Sequence, residues 1–397
     1  MRINTKTIDE LTEKLIDYRG KTPPKADKGV KLITAKVIKE GRINNTKHEY
    51  ISEYTYKFWM KRGFPEQWDI LITTEAPLGE VAQLRTKEKV ALAQRVILLR
   101  GNKQLINQSY YFYALRSHLV KDQLYSRANG TTVLGIKQTE LRKVKIPYFS
   151  LLNQQKIASI LSAYDDLIEN NNRRIEILEE MARSLYREWF VKFRFPGHEQ
   201  VKLVDSDLGL IPEGWEVVYL GNVVYFKTGK LNANAAKIDG DYPFFTCSQE
   251  ILKTNTYSFD TECVLLAGNN ANGVFHINYF NGKFDVYQRT YVIRTINESK
   301  VTNKFLFFCI RDKLEQLKSL STGAATKFLT LTILKNLKVF ISEEILQSKF
   351  SILISPIFQQ IEILNQENIN LRKQRDLLLP KLISGEIDVE ALNIPTR

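Results

Sequence analysis

The sequence predicts an α+β protein: two globular α+β units separated by two long antiparallel helices that form an intramolecular coiled coil, with a pseudo-two-fold internal repeat. Three observations predict it. A charged stretch, residues 155–193, carries apolar residues at alternating steps of four and three. A second stretch repeats that stripe 193 positions later. The segments ahead of each stretch are made of short β-patterned runs that also recur at nearly this offset.

The first stripe is Ile157, Leu161, Tyr164, Ile168, Asn171, Ile175, Leu178, Ala182, Leu185 and Trp189. This is heptad spacing, with Glu, Arg, Asn and Asp filling most positions between. A helix of roughly 40 residues is about 60 Å long, and one narrow apolar stripe of that length needs a partner helix. The same chain supplies it as Phe350, Ile354, Ile357, Ile361, Leu364, Asn368, Leu371, Arg375, Leu378 and Leu382. Asn171 and Arg375 are polar intrusions in the seam, of the kind that fixes register at some cost in stability. The first helix is expected to end at the Arg-Phe-Pro-Gly of residues 194–197. The second is expected to be kinked or restarted at Pro356 and broken at Pro380.

The repeat reaches into the globular units. Gly130, Ile136, Thr139, Leu141, Val144 and Ile146 correspond to Gly323, Leu329, Thr332, Leu334, Leu337 and Val339 at the same offset of 193. Gln94-Arg95 matches Gln288-Arg289 at 194, and Gly20-Lys21 matches Gly229-Lys230 at 209, a drift that loop insertions would cause. The organisation is therefore a globular unit at 1–150, a helix at 151–197, a linker and second unit at 198–341, and a helix with its tail at 342–397. In the first unit the runs 31–37, 70–74, 79–84 and 90–100 read as strands and 53–61 and 108–124 as helices, a mix that suits a strongly bent antiparallel sheet.

With 397 residues and 44% hydrophobic composition the chain can bury a core in each unit. The net charge of +13 is unevenly placed. Residues 1–150 hold 28 basic against 15 acidic side chains, 206–341 hold 15 against 12, and the helical segments 151–205 and 342–397 are slightly acidic at 8 against 9 and 6 against 8. A polyanionic partner is thus expected at the globular units, while the helices face protein. Cys247, Cys263 and Cys309 share no metal or redox spacing, and four scattered histidines argue against a His-based site. No run of 18 apolar residues and no charged-then-apolar leader is present, so the expectation is a cytosolic protein without a membrane span.

Loops rich in small, basic and amide residues connect the predicted strands: 17–24, 73–77 and 126–132 in the first unit, 227–232, 267–273 and 321–326 in the second. Such loops suit phosphate contact through backbone amides and base-edge contact through Arg, Asn and Gln; each is equally readable as an ordinary turn. The matching loops carry different side chains, Thr74-Glu75 facing Asn269-Asn270 for example, as reading two different short targets would require.

Several stretches carry a family resemblance: Asp-Tyr-Arg-Gly-Lys-Thr-Pro at 17–23, Gln-Gln-Lys-Ile at 154–157, Leu-Tyr-Arg-Glu-Trp-Phe-Val at 185–191, Ile-Pro-Glu-Gly-Trp at 211–215 and Leu-Leu-Pro-Lys-Leu-Ile-Ser-Gly-Glu-Ile at 378–387. In this order, around an internal repeat, the chain resembles over essentially its whole length the specificity subunits of type I restriction-modification systems. The resemblance implies two target recognition domains, each reading one half of a bipartite asymmetric double-stranded DNA site through the major groove. The helix pair would set the spacer and dock two methyltransferase subunits, and restriction and motor subunits would complete the complex. It implies no catalysis and no bound cofactor in this chain; S-adenosylmethionine, ATP and Mg would serve the assembled complex.

The residues agree by omission. Ser355-Pro-Ile-Phe358 lacks the second Pro of an amino-methyltransferase loop, and Gly20-Lys-Thr22 lacks the upstream Gly of a phosphate loop. A coiled-coil protein without DNA specificity and a stand-alone methyltransferase or nuclease are the alternatives. The DNA-binding candidates are Arg19, Lys21, Thr22, Thr74, Gln94, Arg95, Asn129 and Thr131, then Lys230, Asn232, Asn269, Asn270, Gln288, Arg289, Thr322 and Thr326. Arg suits guanine O6/N7, Asn or Gln suits adenine N6/N7, and Lys and Thr suit phosphate. The duplicated Gln-Arg pair has a second reading, a cap on a strand in both copies.

Overall fold

The structure, a computed structural model, describes residues 4–18, 22–44, 49–271, 273–323 and 326–396. Two compact units emerge, Met1–Asn172 with Asn365–Arg397, and Arg173–Leu364. The sequence boundaries divide the chain by kind of element; the compact units cut across both long helices, so each unit holds half of each helix. Among the described residues no helix is long and apolar enough to cross a membrane.

In the first unit a four-stranded antiparallel sheet runs in the order Thr12–Asp17, Val96–Gly101, Ile70–Thr74, Leu78–Gln83. Its strands bury both faces. Ile70, Ile72, Ile97 and Leu99 enter one core, while Leu71, Val96 and Leu98 enter the other, as alternation along a strand dictates. That explains why these runs read as continuously apolar rather than alternating. A smaller sheet pairs Val30–Ile33 in parallel with Val90–Leu92 and antiparallel with Glu49–Ile51. Thr5–Thr7 pairs with Lys145–Pro147 at the base.

Some predicted runs divide. The run 90–100 is two strands split by a turn at 93–95. The run 31–37 ends in a 3-10 turn, Ala35–Val37. The patch 108–124 is two helices, Gln108–Arg116 and His118–Ser126, parted at Ser117, whose extended backbone accompanies an Oγ bond to the Ala114 carbonyl of 2.7 Å. Asn107 caps the former helix by accepting from Tyr110 N at 2.9 Å, and the helix then buries Tyr110, Tyr111, Phe112 and Tyr113.

The second unit repeats this plan. Its sheet order Val224–Thr228, Thr290–Thr295, Phe259–Ala267, Ile277–Val286 matches the first, and Tyr242–Phe245 adds to the last strand in parallel. Glu216–Tyr219 pairs with Lys338–Ile341 at its base.

The first long helix spans Leu151–Tyr186 and closes in a π-helical turn, Arg187–Val191. The wider turn lets neighbouring Trp189 and Phe190 both enter the core of the second unit. Phe193 then takes φ 58, so the helix ends before the expected 194–197 stop. The second helix is continuous over Glu344–Ile383, so it does not restart at Pro356, and it runs a few residues past the expected break at Pro380 before it ends. Next to Pro356, Ser355 Oγ bonds the Ser351 carbonyl at 2.6 Å; the helix stops after Pro380, where Gly385 adopts φ 69.

The seam residues are the inward positions. In the first unit Ile157, Leu161 and Ile168 are buried and Leu371 and Leu378 half-buried; in the second Ile354 and Leu364 are buried and Ile175, Leu178, Leu185 and Ile361 half-buried. Off-stripe Leu167, Ile177 and Met181 are exposed. Within the first unit the helix segments run antiparallel, Asp165 meeting Arg375, Asn171 Nδ2 meeting Glu367 Oε2 at 3.2 Å and Asn368 Nδ2 meeting Asn172 Oδ1 at 2.9 Å.

Asp165 is the centre of a buried charge cluster. Its carboxylate meets Arg375 Nη1 at 2.5 Å, accepts from Tyr113 Oη at 2.8 Å and lies 3.6 Å from Arg116 Nη1, tying both helices to the Gln108–Arg116 helix. Burial alone would raise the Asp165 carboxyl, but Arg116 and Arg375 hold it below its ordinary value.

Candidate nucleic-acid interface

The first unit presents a pocket of about 330 Å³ where three loops converge. It is built on a small hydrogen-bonded frame. Thr74 N donates to the Arg95 carbonyl at 3.0 Å, Ile136 N to the Thr74 carbonyl at 2.9 Å, and Asn129 and Gly135 exchange backbone bonds of 2.9 and 3.0 Å. Gly130 closes the 129–135 loop at φ +125, where an added Cβ would lie 2.1 Å from the Val133 carbonyl oxygen.

The second unit repeats the frame bond for bond. Gly268 N donates to the Arg289 carbonyl at 2.8 Å, Leu329 N to the Gly268 carbonyl at 2.8 Å, and Thr322 and Phe328 exchange bonds of 3.1 and 2.8 Å. Gly323, at φ +100 with its notional Cβ 2.1 Å from the Thr326 carbonyl oxygen, takes the place of Gly130. These bonds set Thr74 against Gly268 and Glu75 against Asn269. The loop alignment by sequence, Thr74-Glu75 against Asn269-Asn270, is therefore one residue out.

Of the sequence candidates in the first unit, Thr74, Gln94, Arg95 and Asn129 line the one pocket together. Thr74 is buried and its Oγ1 lies 3.4 Å from the Arg95 carbonyl, so it supports the frame. Thr22 and Thr131 are exposed and lie outside the pocket lining; Arg19 and Lys21 fall outside the described residues. In the second unit Leu231 pairs with Tyr287 and accepts from Gln288 N at 3.0 Å, which sets exposed Lys230 and Asn232 beside exposed Gln288 and Arg289. Asn269 pairs with Phe328 and Asn270 with Lys327, while Thr322 is exposed and Thr326 half-buried in the same loop.

The Gln-Arg pair caps a strand in both copies. Its backbone closes the turn ahead of a strand in each unit, while its side chains remain at the surface of the frame. Arg95 Nε lies 2.6 Å from Glu75 Oε1, both side chains about two-fifths exposed at 44% and 39%. Arg289 instead lies over the Phe328 ring, 5.4 Å from its centre. Sequence reasoning missed Glu75, Val133 and Lys137 as pocket residues. Glu75 stood in a loop already singled out, whereas nothing local marked the other two. Among the described residues no cluster of three or more His, Cys, Asp or Glu could hold a metal ion.

The family model for the type I restriction modification DNA specificity domain matches residues 2–180 and 212–373. The chain belongs to that family. Relatives within it include the type I restriction enzyme MjaIX specificity subunit of Methanocaldococcus jannaschii, 29% identical over 367 residues, covering 86% of this chain and 82% of the relative. The EcoDI specificity subunit of Escherichia coli is 33% identical over 186 residues, covering 46% and 40%. In fold, the chain is similar to the crystal structure of a type I restriction-modification S subunit from M. genitalium, at TM-score 0.56 and 19% identity over 96% of both chains. The two spans matched by the specificity-domain family each contain one frame and one long-helix segment.

Proposed function

We propose that this chain is the non-catalytic DNA-reading subunit of a type I restriction-modification complex. It binds a bipartite asymmetric double-stranded site, one half-site per globular unit, while the helix pair sets the unread spacer and docks two methyltransferase subunits. Restriction and motor subunits join the full cytoplasmic complex, which uses S-adenosylmethionine, ATP and Mg; this chain binds none of them.

The observation that carries the reading is the duplicated frame with unlike side chains. A common backbone holds Gln-Arg at each site but surrounds it with Glu75 and Asn129 in one unit and Asn269 and Thr322 in the other. Two copies of one device with different polar edges suit two different short sequences. The basic surplus of the first unit favours a polyanion there, and the slightly acidic helices favour protein partners.

Long-read methylation sequencing of the host genome, with and without the gene, tests this. Deletion is expected to erase N6-methyladenine from one split, asymmetric motif. An unchanged methylome in a strain expressing the methyltransferase subunits refutes it.

A further inference from the structure

We propose that Glu75 and its counterpart Asn269 are specificity-determining residues that make the two frames read different bases. Glu75 accepts from the exocyclic amino group of the cytosine paired with the guanine gripped by Arg95, and Asn269 selects adenine. This rests on the DNA-reading function proposed above.

The two frames superpose bond for bond, so a difference at this position is a difference of side chain on a shared backbone. At the arginine's neighbour the first frame carries a carboxylate and the second a neutral amide. The Glu75 carboxylate lines the pocket and is accessible to a ligand. Facing a phosphate it would be repulsive; facing an amino donor it is productive, and on a base edge in the major groove cytosine N4 is the donor that glutamate suits. Its ion pair with Arg95 engages Nε, and among the described residues the two terminal amino groups have no other partner. They remain to bridge guanine O6 and N7, and together the two side chains match the edge of a G·C pair. Asn269 has no charge to hold Arg289, which rests on Phe328 instead. Its Oδ1 is buried without a hydrogen-bond partner among the described residues; a turn of the amide about its last side-chain torsion brings that acceptor out to adenine N6 while Nδ2 donates to N7.

The test uses the full chain co-expressed with its methyltransferase subunits, comparing wild type, Glu75→Gln and Asn269→Asp by long-read methylation sequencing. Glu75→Gln preserves shape and removes charge. It is expected to reduce discrimination for cytosine about tenfold at one position of one half-site and to leave the other half-site alone. Asn269→Asp is expected to alter one position of the other half-site, with adenine losing its preference. If the wild type yields a split motif and both variants keep it with undiminished discrimination, the inference fails and the DNA-reading function stands. A uniform drop in methylation across sequences also overturns it, since Glu75 would then only position Arg95. If the wild type yields no split motif, the function itself fails and this inference with it.

Discussion

Replacing Asp165 by asparagine keeps the shape of the side chain and removes the one carboxylate among three buried charged groups. Asp165, Arg375 and Arg116 have side chains only 6%, 8% and 11% exposed; without Asp165, Arg116 would be left desolvated with no ion-pair partner among the described residues, and Arg375 would keep only the exposed Asp376 at 2.8 Å. Removing one partner of a buried pair costs about 3–5 kcal/mol. Against a total stability of about 5–15 kcal/mol, and with a shift of about 2–4 °C per kcal/mol for a unit of this size, Tm should fall by on the order of 10 °C. Because Arg116 and Arg375 hold the folded carboxyl below its unfolded value, the unfolded chain binds the proton more readily. The Asp165 contribution is then fully present above about pH 3.9 and fades as pH falls through the lower folded value; Asp165→Asn should flatten that acid limb. Urea unfolding of wild type, Asp165→Asn, Arg375→Met and the Asp165→Asn/Arg375→Met double variant gives the comparison. The double variant should cost less than the sum of the single ones, because it removes a charge of each sign together. A loss below about 1 kcal/mol for Asp165→Asn, typical of an exposed pair, would refute the reasoning.

Arg95→Ala should relax one base of one half-site, and Arg289→Ala one base of the other, as read from the methylated motif; matching changes in both half-sites from either variant would contradict separate reading. Lys156 is buried and its Nζ donates to the Val389 and Glu390 carbonyls at 3.2 and 2.7 Å. Lys156→Met should cost about 1–3 kcal/mol by leaving those acceptors unpaired, and limited proteolysis should cut the 388–396 tail sooner. Inserting four residues in each long helix, near Asn172 and Leu364, adds about 6 Å and should lengthen the spacer by about one or two base pairs without changing either half-site. A spacer that stays constant would remove the helices from that role.

Much of the fold was legible because the helix signal is long and redundant. Ten stripe positions in each helix agree with one period, and every one of them is buried or half-buried. Strand endings were less legible. The turn at 93–95 lies between two apolar runs, so periodicity sees one strand, and Ser117 parts two helices by local bonding that apolar spacing does not register. The prolines misled for a related reason. A proline removes one bond and crowds one carbonyl, but a helix packed along 40 residues outweighs that local penalty. At the candidate site, Gln94, Arg95 and Asn129 were found from composition and duplication. Val133 and Lys137 were not, since their place in the pocket comes from loop closure at Gly130 rather than from any local signal.

The division of each helix between two units carries a consequence for synthesis. The core of the first unit includes Leu379, Leu382, Ile383 and Val389, about 230 residues after the strand that ends its globular part. The second unit, by contrast, is a continuous stretch from Arg173 to Leu364. The domain made first on the ribosome is thus the last to be completed. Until residues 379–389 emerge, Ile157, Ala158 and Leu161 lack part of their apolar cover, so a chain truncated after Leu364 and released from the ribosome should engage chaperones through its first unit while its second unit folds.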